Sequence, residues 1–224
     1  MRCSVIVPTL DEGSTIEGAL RRLRTLNPHE IIVADGGSRD RTRELARPHA
    51  TVLNGAQGRG PQLNAGAARA TGDVLLFLHA DVRLPPDALS AIGTALAAPN
   101  VVGGHFRVRF GRGAHEMFVA ACYDLLRWKG QGIVYGDAAV FVRREAFQQL
   151  VGFRDYPIME DVNFVSRLRR LGRVVELSQV ALPSSRRWRR GGVWRTWASW
   201  WALQLLYGLR VSPHWLGRVY RAVR

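Results

Sequence analysis

The sequence predicts an α/β fold, a mostly parallel and doubly wound sheet, ending in a helical segment rich in arginine and tryptophan. Three observations carry that expectation. Short apolar runs alternate with helical patterns four times, the signature of a parallel sheet covered by helices on both faces. One run, Val74 to Leu78, is wholly apolar, as a central strand buried on both faces should be. Acidic residues and a histidine follow these runs, where strands of such sheets present their ligands.

The elements follow in order. Ser4 to Val7 is a buried strand closed by Pro8, and Ser14-Thr15-Ile16-Glu17 fits a capping box. Ile16, Leu20 and Leu23 behind it have the spacing of a helix face. Ile31 to Ala34 is a second strand ending at Asp35-Gly36-Gly37, and a helix follows from Arg39 to Ala46, stopped by Pro48. Thr51 to Leu53 is a third strand, Gly60 to Ala70 a helix, and Val74 to Leu78 the fourth strand. Pro85-Pro86-Asp87 opens a helix to Ala98. The second half is less regular: a strand over Gly104 to Phe110, a helix over Glu116 to Trp128, a strand over Ala138 to Val142 and a helix over Asp161 to Leu171. The composition shifts near residue 185, which divides the chain into an α/β domain, 1–185, and a basic, tryptophan-rich helical segment, 186–224.

Composition excludes several function classes. The chain has 224 residues and is 47% hydrophobic and 22% charged, which suits a globular domain and not a disordered one. Two cysteines, Cys3 and Cys122, supply neither a disulfide framework nor a four-cysteine zinc site. The single lysine, Lys129, is followed by Gly130, so there is no P-loop. Net charge is +14, and residues 186–224 hold nine arginines and no acid. The same segment holds Trp188, Trp194, Trp197, Trp200, Trp201 and Trp215. Such a segment either meets an anionic surface or packs on the domain with its arginines solvated. Its charge-free stretch, Thr196 to Leu209, is shorter than the roughly 20 residues a spanning helix needs. The N-terminal apolar run is too short for a signal peptide, so the expected location is the cytoplasm, with peripheral contact at the inner face of the membrane as an option.

The polar residues after the strands are Asp11, Glu12, Asp35, His79 and Asp81. Each acid alone reads as a helix N-cap. Together, four acids and a histidine at one sheet edge repel one another, and a cation would relieve them.

Five motifs then stand in order: Val-Ile-Val-Pro-Thr-Leu-Asp-Glu (5–12), Ala-Asp-Gly-Gly-Ser-Arg-Asp (34–40), Gly-Arg-Gly-Pro-Gln-Leu-Asn-Ala-Gly (58–66), His-Ala-Asp (79–81) and Met-Glu-Asp (159–161). This series resembles the family 2 glycosyltransferases over essentially the whole chain. Tyr-Gly-Asp (135–137) and Arg-Arg-Trp (186–188) are similar to the small bacterial branch described as associated with radical-SAM or selenium-domain genes.

The resemblance implies a GT-A fold, a nucleotide-diphosphate sugar donor and Mn²⁺ or Mg²⁺. It implies that Pro8, Glu12 and Asp35 line the nucleoside pocket and that Arg59 reaches the nucleotide. Asp81 would bind the metal. His79 would be a second ligand or a hydrogen-bonded core histidine. Arg186, Arg187 and Trp188 would close over the donor phosphates, and Tyr135, Gly136 and Asp137 would face the acceptor. Glu160 and Asp161 would supply the catalytic base, with the helix dipole keeping Asp161 ionised.

The sequence departs from the family pattern at four places: Asp11 for the usual Asn, Gly36 for a second Asp, His79 for the first Asp of Asp-x-Asp, and Ala138 for Gln. The implied activity is inverting sugar transfer to a small or lipid-linked acceptor, with no nucleic-acid partner and with homo-oligomers allowed. A non-catalytic protein binding nucleotide-sugar, membrane or RNA through the basic tail is the alternative. A nucleotidyltransferase would want a glycine-rich loop with lysine where Pro8-Thr9-Leu10 stands.

Overall fold

The computed structural model describes residues 1–55, 57–110, 117–118, 120–121, 134–184 and 193–222. The strands are β1 (Cys3–Thr9), β2 (Glu30–Asp35), β3 (Thr51–Asn54), β4 (Val74–Phe77), β5 (Val82–Arg83), β6 (Val101–Val108), β7 (Val140–Arg143) and β8 (Arg173–Pro183). The helices are α1 (Ile16–Thr25), α2 (Thr42–Ala46), α3 (Arg59–Arg69), α4 (Ala88–Leu96), α5 (Arg144–Gln149), α6 (Glu160–Leu168), α7 (Val193–Gly208) and α8 (Pro213–Ala222), with a 3₁₀ turn at Gly136–Ala138.

The sheet runs β3-β2-β1-β4-β7-β6-β8-β5. β1 pairs in parallel with β2 and β4, and β2 with β3. The winding therefore leaves β1 in one direction through β2 and β3, then returns to its other side with β4. That reversal opens a crevice at the carboxyl ends of β1 and β4, the place where such sheets bind ligands. β7 is antiparallel to β4 and to β6, while β8 lies parallel to β6.

Alternation along the strands builds two cores. Val5, Val7, Ile31, Val33 and Leu76 face Ile16, Leu20 and Leu23 of α1 and Ile92 of α4. Ile6, Ile32, Leu75, Phe77 and Val142 face Leu63 of α3, Phe147 of α5 and Phe164 and Leu168 of α6. This is the period-2 pattern of a sheet covered on both sides. Gly66 lets α3 lie directly on β1, since a Cβ there would overlap Ile6. Phe77, Phe147, Phe153 and Phe164 form an aromatic cluster, with Phe153 and Phe164 centroids 4.4 Å apart, that backs the start of α6.

Several local expectations need correction. Thr15, not Ser14, precedes α1, and no side chain caps the helix. Instead Thr15 and Ile16 donate their N–H groups to the Glu12 carbonyl. The helix expected from Arg39 forms only at Thr42, because Asp40 accepts from the Thr42 N–H and hydroxyl and holds the chain in a turn. The strand expected at Gly104 to Phe110 begins at Val101. β5, α5 and β8 were not anticipated, while α7 and α8 both fall within the helical segment expected over 186–224. The helix expected over 116–128 lies mostly outside the described residues, as does Arg186-Arg187-Trp188. Among the described residues, no helix is long and apolar enough to cross a membrane.

Candidate active site

Two clusters of polar residues sit at the crevice. The first joins the loops after β1 and β2. The Asp35 carboxylate is fully enclosed. It accepts from the Thr9 hydroxyl at 3.0 Å, the Ser38 hydroxyl at 2.5 Å and the N–H groups of Gly37 and Ser38. Its oxygens are thus spent on shaping the Gly36-Gly37-Ser38 turn. Asp11 adopts φ 53°, takes the Arg39 N–H on its Oδ1 and gives its own N–H to the Ser38 hydroxyl. The Glu12 N–H reaches Thr42 Oγ1 at 2.8 Å, and its carboxylate accepts from the Thr15 hydroxyl. Pro8 is half-buried between these loops, level with Ala34.

The second cluster gathers residues far apart in sequence. Arg59, at the start of α3, meets Glu160 with Nη1 to Oε1 at 3.1 Å. Glu160 is fully buried, and its Oε2 has no hydrogen-bond partner among the described residues. Asp161 is 8% exposed and accepts from the Gly136 N–H at 2.6 Å and the Val162 N–H at 2.7 Å. A Cβ at Gly136 would lie 2.6 Å from His79 Nε2 and 3.4 Å from Asp161 Oδ2. The 3₁₀ turn therefore touches the histidine of the loop after β4 and the acid of α6 at once. His79 Nδ1 stands 3.4 Å from Asp137 Oδ1. Asp81, half-buried, follows on the same loop and receives the Ser184 N–H on its carbonyl. Met159, with φ 65°, turns the chain into α6 and presents Glu160 and Asp161 together.

The electrostatics of this cluster reverse one expectation. Burial, and then the neighbouring charge of Glu160, raise the pKa of Asp161 well above the usual carboxylate range. Arg59 and the two N–H donors pull it down without prevailing. The helix dipole does not keep Asp161 an ordinary acid, because desolvation outweighs it. Burial also disfavours the charge on Arg59, yet Glu160, Asp161 and Asp137 together raise its pKa.

Three residues that the motifs do not single out hold the site together. Gln62 Nε2 donates to the carbonyls of Thr9 at 2.8 Å and Ala34 at 2.7 Å, tying the ends of β1 and β2 to α3. It lies one helical turn from Arg59, so one stretch of α3 bridges both clusters. Replacing Gln62 by Leu should lower the unfolding free energy by about 2 kcal/mol in a denaturant titration, since buried carbonyls lose a donor. An unchanged midpoint would refute this bridging role. Asn64 exchanges two hydrogen bonds with the backbone of Phe153. Gln204, on α7, donates to the Tyr135 hydroxyl, whose ring stands edge-on to Trp200. Tyr135 is buried, so its hydroxyl faces the helix hairpin. The hairpin also packs Leu203 and Leu216 against Ile158 and Met159, and Gly217 closes on Pro157. Gln62 and Asn64 stand inside the 58–66 motif with no role assigned to them there, and the only sequence signal for Gln204 is an amide amid apolar neighbours.

Comparison with known proteins extends this picture. Residues 4–151 match the profile of Glycosyl transferase family 2. The chain is 26% identical over 154 residues to the undecaprenyl-phosphate 4-deoxy-4-formamido-L-arabinose transferase of Pseudomonas aeruginosa, covering 62% of this chain and 45% of that protein. The same transferase of Pectobacterium atrosepticum is 35% identical over 98 residues, 38% of this chain and 30% of that protein. The chain therefore spans less than half the length of these relatives. Among solved structures, a mannosyltransferase from Pyrobaculum calidifontis in complex with GDP-Man and Mn²⁺ superposes with a TM-score of 0.74 at 22% identity, covering 99% of this chain and 69% of that one. Glucosyl-3-phosphoglycerate synthase from Mycobacterium tuberculosis, in complex with Mn²⁺, UDP and glucosyl-3-phosphoglycerate, gives 0.58 at 22% identity over 80% of this chain and 69% of that one. These likenesses share the GT-A fold. With two clusters at the switch point of that fold and the family profile running through both strands that frame it, the chain belongs to glycosyl transferase family 2.

Proposed function

We propose that this chain transfers a sugar, with inversion, from a nucleotide-diphosphate donor to an acceptor hydroxyl. The observation that carries the reading is the buried acid Asp161, its pKa raised, held by the Gly136 N–H beside the Arg59–Glu160 pair. A base poised near neutral pH is what deprotonation of a hydroxyl needs. The acceptor oxygen attacks the anomeric carbon, and a new C–O bond forms as the bond to the diphosphate oxygen breaks. The hydroxyl proton passes to Asp161, and the nucleoside diphosphate leaves. One displacement inverts the anomeric centre and calls for no enzyme nucleophile.

The donor reading assigns the nucleoside to Pro8, Glu12 and the turn built by Asp35, and the phosphates to Arg59, whose planar fork suits bidentate contact. Arg186, Arg187 and Trp188 complete the phosphate side in this proposal. Tyr135, Gly136 and Asp137 form the acceptor side, with Tyr135 acting through its position. Among the described residues, no three of His, Cys, Asp and Glu gather at metal-ligand spacing. That donor set fits Mg²⁺ or Mn²⁺ bound in an open site, where one or two protein ligands suffice and phosphates and water complete the shell. Asp81, with His79 beside it, would hold the ion. When bound, it neutralises charge on the departing diphosphate.

The undecaprenyl-phosphate relatives favour a lipid-linked acceptor over a small soluble one, and we propose that the chain meets it at the inner face of the membrane. We also place the chain in the small bacterial branch associated with radical-SAM or selenium-domain genes, on residues 135–137 and 186–188.

The test is thermal unfolding with UDP, GDP, CDP, dTDP and ADP, each with Mn²⁺, with Mg²⁺ and with EDTA. One nucleotide should raise the midpoint by several degrees in the presence of metal, as a ligand at about 100 times its dissociation constant adds about 2.7 kcal/mol. Asp81→Ala should abolish the metal-dependent part. A shift that EDTA and Asp81→Ala both leave intact would refute the metal assignment, and no shift with any nucleotide would refute the donor site.

A further inference from the structure

The outer face of the α7–α8 hairpin has the wrong surface for water. Trp194, Ala198, Ala202 and Leu205 recur at helical spacing along α7, Leu209 follows just past its end, and all five are exposed. Trp194 is 68% accessible, Leu205 63% and Leu209 68%. Trp215, 50% accessible, and Val219 continue the surface on α8. The inner face of the same helices is apolar too, with Leu203 and Leu216 packed on Ile158 and Met159. A surface helix of a soluble domain turns polar residues outward, whereas α7 is apolar on both sides. Contiguous exposed apolar surface of this kind marks a binding face.

The charges around the face identify its partner. Arg195 on α7, Arg210 in the connection and Arg218 on α8 are exposed. Residues 186–224 contain nine arginines and no Asp or Glu, so no countercharge is supplied from within the segment. Tryptophan and leucine ringed by arginine form the pattern of a helix lying in the headgroup region of an anionic bilayer. We propose that α7 and α8 dock by this face on an anionic lipid surface, lying in its plane without crossing it. This concerns binding alone and goes beyond the proposed transfer reaction.

The test is co-sedimentation of the full chain with phosphatidylcholine vesicles, with and without phosphatidylglycerol, at low and high salt. The wild type should bind the anionic vesicles and lose binding as salt rises. Leu205→Asp with Leu209→Asp should reduce partitioning at least about tenfold. Arg210→Gln with Arg218→Gln should reduce it about fivefold per arginine. These side chains face outward, so thermal midpoints should not change. If the aspartate pair fails to fold, Leu205→Ser with Leu209→Ser replaces it. Absence of vesicle binding by the wild type, or variants that bind as the wild type does, would overturn the proposal. A concentration-dependent dimer that the leucine variants dissociate, without vesicle binding, would overturn it in favour of a second copy of this chain. The nucleotide-induced shift in melting is read on the same variants and should persist, so failure of this proposal is distinct from failure of the donor reading.

Discussion

Asp161→Asn should lower kcat by about a thousandfold while leaving the melting shift with donor nucleotide in place. The magnitude is that of removing a general base. The carboxylate takes N–H donors on both oxygens, from Gly136 and Val162. Asparagine has one acceptor oxygen, so one donor loses its partner, at a cost of about 1 kcal/mol. The large effect should therefore fall on turnover and the small one on stability. A variant that turns over at the wild-type rate would move the base to Glu160 or beyond. The wild-type rate carries a second signature. As the proposed base Asp161 would work ionised, and burial and Glu160 raise its pKa. On the acid side the rate should thus climb with pH at values above the ordinary carboxylate range. Glu160→Gln should move that limb to lower pH, because the like charge is gone. A limb at an ordinary carboxylate value in the wild type would show that the Asp161 environment is not the one described.

Arg59→Met should have the second largest effect, on both stability and binding. It strands Glu160, whose side chain is fully enclosed, beside an already crowded Asp161. Breaking an enclosed ion pair costs about 3–5 kcal/mol. The Arg59 side chain is 34% exposed, so solvent screening reduces the expected loss to about 2 kcal/mol. Adding Glu160→Gln should recover most of that loss, because the enclosed Glu160 charge is gone and Asp161 keeps its two N–H donors, while nucleotide affinity stays low for want of the guanidinium. Urea midpoints of the wild type, the two single variants and the double variant form the cycle that measures it. Equal losses that simply add would show that Arg59 and Glu160 do not act as a pair.

The fold was readable where burial leaves an unambiguous trace. Ser4–Val7, Ile31–Ala34 and Val74–Leu78 are apolar runs because helices cover both faces of β1, β2 and β4. β8 left no such trace, since eight of its eleven residues are exposed or only partly buried and no regular alternation runs along it. The antiparallel insertion of β7 beside β4 was equally silent, because a buried run says nothing about direction. At the site, the motifs named Arg59, Glu160, Asp161 and Gly136, and the structure brings these four together. The bridging role of Gln62, though it stands in the 58–66 motif, and that of Gln204 escaped, since their partners lie 28 to 69 residues away in the chain and amides carry no charge pattern to betray them. The ionisation of Asp161 was misjudged for a related reason. A helix start is visible in sequence, whereas the depth at which it is buried is not.

The bracing of Tyr135 by Gln204, and of Ile158 and Met159 by Leu216, has a consequence for the order in which the protein is made. Strands β1 to β4 and their helices can assemble as they leave the ribosome, since β1 pairs with β2 and β4 and β2 with β3, and only the far edge of β4 waits for β7. The wall behind Gly136 and Asp161 is translated after all of them. A nascent chain can thus carry a finished sheet and every acid of the cleft, yet lack the support that fixes the turn and the start of α6. The proposed competence arrives only with α7 and α8, so a product truncated before them should fold in part and remain without activity.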